Sequence, residues 1–229
     1  MQIDCFASSS SGNLYRVSDG KTPLLIECGL RLTHIKRLLN FGLSKIAGCL
    51  VSHSHLDHSR GAEELMRYGT DVYASKQTAK ALGLSSHRLH IVEPLKAFAI
   101  GTWQVIAFPT QHDCPGSMGF VLASGEEKLL FLTDSFYVRH RFRGLTHIMI
   151  ECNYSKQTLS PDLDPAVRRR LLRSHMSLEQ VIKFLAANDL TQVREIILIH
   201  LSADNSDAEM FQREIQRATG KPVRVAQEG

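Results

Sequence analysis

Ser52-His53-Ser54-His55-Leu56-Asp57-His58 follows the apolar run Cys49-Leu50-Val51 and packs three histidines and a carboxylate into a single short stretch. Imidazole nitrogens and a carboxylate oxygen are the donors that suit zinc, manganese or iron. Along an extended segment the side chains alternate, so His53 and His55 point the same way, and Asp57 and His58 are left to turn toward a second ion. A chain with 11 histidines could place a few together by accident. Here, however, the cluster stands where a buried strand gives way to a helix, the usual place for sites in layered α/β folds.

Three further donors each end an apolar, strand-like run. His112 follows Val105-Ile106-Ala107-Phe108-Pro109-Thr110, Asp134 follows Leu129-Leu130-Phe131-Leu132-Thr133, and His200 follows Ile196-Ile197-Leu198-Ile199. Taken singly, each reads as a capping aspartate or an ordinary histidine. Jointly placed, they make a pattern that resembles the metallo-β-lactamase superfamily, marked by His-x-His-x-Asp-His and then a distant His, Asp and His at strand ends. The resemblance runs over nearly the whole chain. It implies that His53, His55 and His112 hold one divalent ion, that Asp57, His58 and His200 hold a second, and that Asp134 bridges them, with Zn2+ or Mn2+ as the cofactor pair. It also implies the family's four-layer αββα sandwich, two mixed sheets flanked by helices. Pattern alone predicts only a generic α/β or α+β class.

With 229 residues, 43% of them hydrophobic, the chain can bury a sizeable core, and no internal linker is evident, so a single domain over 1–229 is expected. A formal charge of +4 favours anionic substrates without demanding nucleic acid. Met1-Gln2-Ile3-Asp4-Cys5-Phe6 lacks the features of an export signal, and no run approaches the length of a membrane span. The five cysteines are odd in number and carry no Cys-x-x-Cys pair. Cys5, Cys28, Cys49 and Cys152 are expected as small core residues, Cys114 as a loop residue, and the protein as cytoplasmic.

Hydrophobic periodicity predicts alternating strands and helices. Strands are expected at 1–7, 14–18, 23–28, 49–52, 72–74, 89–92, 103–108, 119–122, 129–132, 147–151, 195–200 and 222–225. Helices are expected at 32–39, 62–68, 76–82, 165–172, 178–187 and 207–218.

Two ions roughly 3.5–4 Å apart would activate water and grip substrate oxygens, which makes a hydrolase. Asp57 would also orient the nucleophile, as its place in the family motif implies. A leaving alkoxide needs a proton, and His175 in Ser174-His175-Met176-Ser177 resembles the extra histidine of the superfamily's phosphodiesterase branch. In that role His175 is the general acid, with Glu151 or another nearby carboxylate as its orienting partner. Read without the family, the same stretch is a helix cap formed by Ser174 or Ser177.

Ser8-Ser9-Ser10-Ser11-Gly12-Asn13 and His200-Leu201-Ser202-Ala203-Asp204-Asn205 are similar to loops of the YycJ-type exonucleases. That resemblance makes Ser10, Ser11, Asn13, Ser202 and Asn205 candidate phosphate contacts, although a plain hairpin has the same composition. Glu27 stands where the superfamily usually has Asp. Arg168, Arg169 and Arg170, with Arg139, Arg141 and Arg143, would track a polyphosphate chain if they face the site, and otherwise form a solvated face. The expected partner is therefore DNA as substrate, with a cyclic nucleotide or cyclic phosphate as alternative. An acyl hydrolase acting on a lactone or thioester is a third class, and family resemblance makes a homodimer plausible. The short stretch between Asp134 and His200 leaves no room for the large insertion of β-CASP nucleases.

Overall fold

The computed structural model describes residues 1–226, so the last three residues of the expected domain lie outside it. The chain forms two compact units, one of Met1–Pro109 with Cys114–Gly125, the other of Thr110–Asp113 with Glu126–Ala226.

In the first unit six strands form one mixed sheet in sequence order: β1 (Gln2–Ser9), β2 (Gly12–Ser18), β3 (Pro23–Ile26), β4 (Cys49–Leu50), β5 (Val72–Ala74) and β6 (Leu89–Ile91). The first three pair antiparallel, and β3 to β6 pair parallel. Parallel neighbours need crossovers, and helices α1 (Leu32–Leu38), α2 (Leu56–Ser59), α3 (Ala62–Arg67) and α4 (Lys76–Ala81) lie in those connections. Ile35, Leu65 and Met66 from α1 and α3 join Leu25, Cys28, Cys49, Val51 and Val72 in one buried cluster. Strands β7 (Ala97–Ile100), β8 (Trp103–Pro109) and β9 (Met118–Ser124) add an antiparallel array, in which buried Trp103 donates its indole N–H to the Thr22 carbonyl at 2.7 Å.

In the second unit β10 (Glu127–Leu132), β11 (His147–Glu151), β12 (Glu195–Ile199) and β13 (Val223–Val225) pair parallel in sequence order. Strands buried on both faces read as continuous apolar runs, and Ile148, Met149, Ile150, Ile196, Ile197, Leu198 and Ile199 are all inaccessible to solvent. Helices α5 (Pro165–Ser174), α6 (Leu178–Ala186) and α7 (Ala208–Thr219) complete it. Asp164 caps α5 ahead of Pro165, and Ser177 with Gln180 forms a capping box on α6.

Most expected elements appear within a residue or two. The strand at Ala97–Ile100 and the single-turn α2 inside the motif were not expected, being too short to carry a period. One cysteine differs from expectation: Cys5 is half-exposed because it lies on β1, the edge of its sheet. Cys114 lies in a loop as expected, buried there with its thiol 3.1 Å from the Ser54 hydroxyl. Among the described residues, no helix is long and apolar enough to cross a membrane.

Backbone packing around the motif is tight. A Cβ built on Gly29 would stand 1.7 Å from the Asp57 carbonyl oxygen and 2.8 Å from the Asn13 nitrogen, so only glycine lets these strands close on the motif turn. Gly29→Ala is predicted to lower the free energy of unfolding by at least the roughly 1–3 kcal/mol typical of overpacking, and with it the urea midpoint. An unchanged midpoint in equilibrium unfolding would show that the turn tolerates displacement.

Candidate functional site

The first unit assembles its donors on one turn. Val51 donates its N–H to the Tyr73 carbonyl, and the chain leaves β4 extended, with His55 serving as N-cap of α2. His53 Nε2 and His55 Nδ1 come within 3.1 Å of each other, as the alternation of an extended segment requires. His53 Nδ1 is held from behind by the Ser52 hydroxyl at 2.9 Å, which orients the ring. His58 Nε2 lies 3.2 Å from the Asp57 carboxylate, and its ring centroid is 4.2 Å from that of His53.

Behind His58 stands Glu27, fully buried, with Oε2 3.6 Å from His58 Nδ1 and accepting the Ser52 N–H at 3.4 Å. Burial pushes the Glu27 carboxyl up from its ordinary range, while the hydrogen bonds from His58 and Ser52 pull the other way. Its backbone is left-handed, with φ of 63°, a strained conformation for this residue type. Cys28 donates its N–H to the His58 carbonyl, and Gly61 returns one to the Cys28 carbonyl, both at 2.8 Å. The segment carrying Glu27 thereby also fixes the helical end of the motif.

In the second unit the parallel register brings the carboxyl ends of three strands level: Leu132 pairs with Ile150, and Glu151 with Ile199. Asp134, Glu151 and His200 emerge there, where open α/β sheets place their sites. The Asp134 carboxylate is buried among three histidines. His112 Nε2 lies 3.4 Å from Oδ2, His175 Nδ1 3.9 Å from Oδ2, and His200 Nε2 3.8 Å from Oδ1. Thr133 donates its hydroxyl to Oδ1 at 2.7 Å. Asp134 and His200 have φ of 43° and 53°, again left-handed without glycine. The Ser174 carbonyl accepts from His112 Nδ1 at 2.9 Å, which turns Nε2 toward Asp134.

His175 is held on two sides. Met176–Leu178 are stitched to the chain leaving β11, with Asn153 donating its N–H to the Met176 carbonyl at 3.0 Å and Leu178 to the Tyr154 carbonyl at 2.8 Å. Glu151, buried, takes His175 Nδ1 in a short hydrogen bond, and its second oxygen accepts the N–H groups of Ser135 and Met176 at 3.2 and 3.1 Å. Ser177 caps α6 as the cap reading expects, and His175 stands beside Asp134. Donor atoms of Asp134, Glu151, His175 and His200 lie within 4.8 Å of one another.

The other expected contacts fall differently. Asn13 is fully buried, and its amide donates to the Ser9 and Asp57 carbonyls at 3.0 and 3.1 Å, bracing the motif turn; Ser10 and Ser11 form the exposed hairpin tip. Asn205 is also buried, accepting from the Ser160 N–H and donating to Ser202 Oγ. Arg168 donates to the Ser160 carbonyl, Arg170 pairs with Asp113 at 2.6 Å, and Arg169 is exposed. Asn153 was not anticipated. Its amide donates to the His200 carbonyl at 3.1 Å, and the only signal was its position two residues past Glu151.

Residues 22–201 match a family model described as the Beta-lactamase superfamily domain. The chain is 28% identical over 222 residues to exodeoxyribonuclease WalJ of Streptococcus pneumoniae, covering 89% of this chain and 82% of that protein. It is 26% identical over 233 residues to exodeoxyribonuclease YycJ of Bacillus anthracis, covering 95% and 88%. Among solved structures, the metallo-beta-lactamase fold protein YhfI from Bacillus subtilis superposes with a TM-score of 0.75 at 16% identity, covering 99% of this chain and 97% of that one. The expected class, two mixed sheets with flanking helices, is the fold these neighbours share.

Glu27→Gln keeps the shape of the side chain and removes its charge. It is predicted to weaken Zn2+ binding about 10–100-fold in a dye-competition titration, with an unaltered far-UV spectrum. Unchanged affinity would reduce Glu27 to a structural role.

Proposed function

The chain belongs to the Beta-lactamase superfamily and is a metal-dependent hydrolase, and from that premise we propose that it hydrolyses phosphodiester bonds as a DNA exonuclease. The names of the WalJ and YycJ relatives support the substrate, and the observation that carries the reading is His175, locked by buried Glu151 beside Asp134.

The donor sets fit divalent ions chemically: imidazoles held from behind by hydroxyl, carbonyl or carboxylate partners, and buried carboxylates beside them. His53, His55 and His112 would hold one ion, and Asp57, His58 and His200 a second, with Asp134 shared. Residues 1–229 would then act as one catalytic domain, placed in the cytoplasm. When bound, such ions acidify a water molecule and offset the charge of a phosphodiester.

The remaining work falls to the chain. Asp57 accepts a hydrogen bond from the attacking water and orients it. Glu151 accepts from His175 Nδ1, which fixes the ring and leaves Nε2 as the atom that carries the proton for the departing oxygen. A good leaving group such as a thiolate would make that proton superfluous, so a locked His175 favours a phosphodiester over a thioester. Asn13 and Asn205 serve as braces of their loops rather than as substrate contacts.

Metal-loaded protein should release nucleotides from the ends of labelled DNA. Turnover confined to cyclic nucleotides, lactones or thioesters would contradict the assignment. His175→Ala is expected to cut turnover of DNA by roughly 10²–10⁴-fold, and of bis(p-nitrophenyl) phosphate far less, because p-nitrophenolate leaves without a proton. Equal losses on both substrates would make His175 a structural residue.

A further inference from the structure

In the second unit the chain beyond Asp134 runs without regular structure from Ser135 to Gly144. With α6 and the residues around it, this stretch encloses a cavity of about 180 Å³. Met176 and Phe184 are buried in its lining, and Tyr137 is 54% exposed at its mouth. Exposed Arg139 and Lys183 stand on the rim, and no aspartate or glutamate contributes to the lining. Arg141 is already committed, donating its guanidinium to the Ala187 carbonyl, and Gln180 is spent on the capping box of α6. Asn188 is held by Phe142 and Phe184, and His140 packs against Phe142, which leaves for a ligand an apolar slot, the Tyr137 ring and the cations Arg139 and Lys183.

The cavity's position matters as much as its lining. Phe136 stands two residues after Asp134, and Met176 directly follows His175, so two of the lining residues adjoin members of the Asp134, Glu151, His175 and His200 cluster along the chain. Pockets for drug-sized ligands measure about 300–1,000 Å³, so this one takes a single ring system rather than a whole cofactor. Base-on-aromatic stacking with flanking cations is the chemistry by which single strands are held without sequence preference. We infer that this cavity is a nucleobase pocket: it receives one unpaired base next to the scissile phosphodiester, with Tyr137 as stacking face and Arg139 and Lys183 as contacts for neighbouring phosphates. A slot of this size admits a base but not a base pair. The inference rests on the nucleic-acid reading of the site.

Binding of metal-free protein to short end-labelled oligothymidylates, measured by fluorescence anisotropy, tests the pocket without turnover. In a series carrying one abasic residue at each position in turn, wild type should bind roughly 5- to 100-fold more weakly when the gap falls at one particular position. Tyr137→Ala should lose a comparable factor on the intact oligonucleotide and nothing further at that gap. Arg139→Ala with Lys183→Ala should flatten the dependence of log affinity on log salt by about 0.7 per lost contact. Matching thermal midpoints establish that the variants are folded. Equal binding of every abasic oligonucleotide, no measurable binding by wild type, or a Tyr137→Ala variant indistinguishable from wild type would overturn the pocket. A protein that cleaves DNA yet shows no position-dependent penalty loses the pocket and keeps the nuclease reading; one that shows the penalty and cleaves no DNA does the reverse.

Discussion

Each unit hides a glutamate behind a histidine: Glu27 behind His58 in the first, Glu151 behind His175 in the second, both almost wholly removed from solvent. A carboxylate stripped of water costs several kcal/mol unless donors or a positive charge answer it. Glu151 is answered by two backbone N–H groups and His175, whereas Glu27 has the Ser52 N–H and the more distant His58 on one oxygen, and its other oxygen has no hydrogen-bond partner among the described residues. The difference matters chemically. A weakly answered carboxylate raises the basicity of the imidazole in front of it, which suits a ligand; a fully satisfied one fixes a ring, which suits a proton donor.

The backbone supports that division at a cost. Glu27, Asp134 and His200 all adopt left-handed conformations, each of which costs of order 1–3 kcal/mol in a residue other than glycine. All three follow the end of a strand, where the ladder stops and the next side chain must be re-aimed. The surrounding hydrogen bonds hold these residues in place: the Leu50 carbonyl receives the Glu27 N–H, the Thr133 hydroxyl holds the Asp134 carboxylate, and Asn153 holds the His200 carbonyl. Such over-determination is what a pre-organised site requires, because donors that must rearrange on binding lose affinity.

The donors were legible in the sequence because each follows an apolar run, and buried parallel strands write themselves as such runs. Glu151 was legible as a partner of His175 for the same reason: it ends the run His147–Glu151. The braces were not. Asn13 and Asn205 look like phosphate contacts in a row of serines, and only the fold shows their amides turned inward to backbone carbonyls and hydroxyls. Arg170 looked like part of a basic track, and its pairing with Asp113 depends on a tertiary contact that no local pattern encodes. The slot lined by Met176 is likewise assembled from α6 and an irregular stretch, and irregular backbone carries no period to read.

The central proposal is that the seven donors read from the sequence make a two-ion centre with Asp134 in common. Metal content of reconstituted, active protein, measured by mass spectrometry on wild type and Asp134→Ala, tests it most directly. Two ions per wild-type chain and fewer in the folded variant are predicted; one ion or none in fully active wild type, or an unchanged pair in the variant, would contradict it.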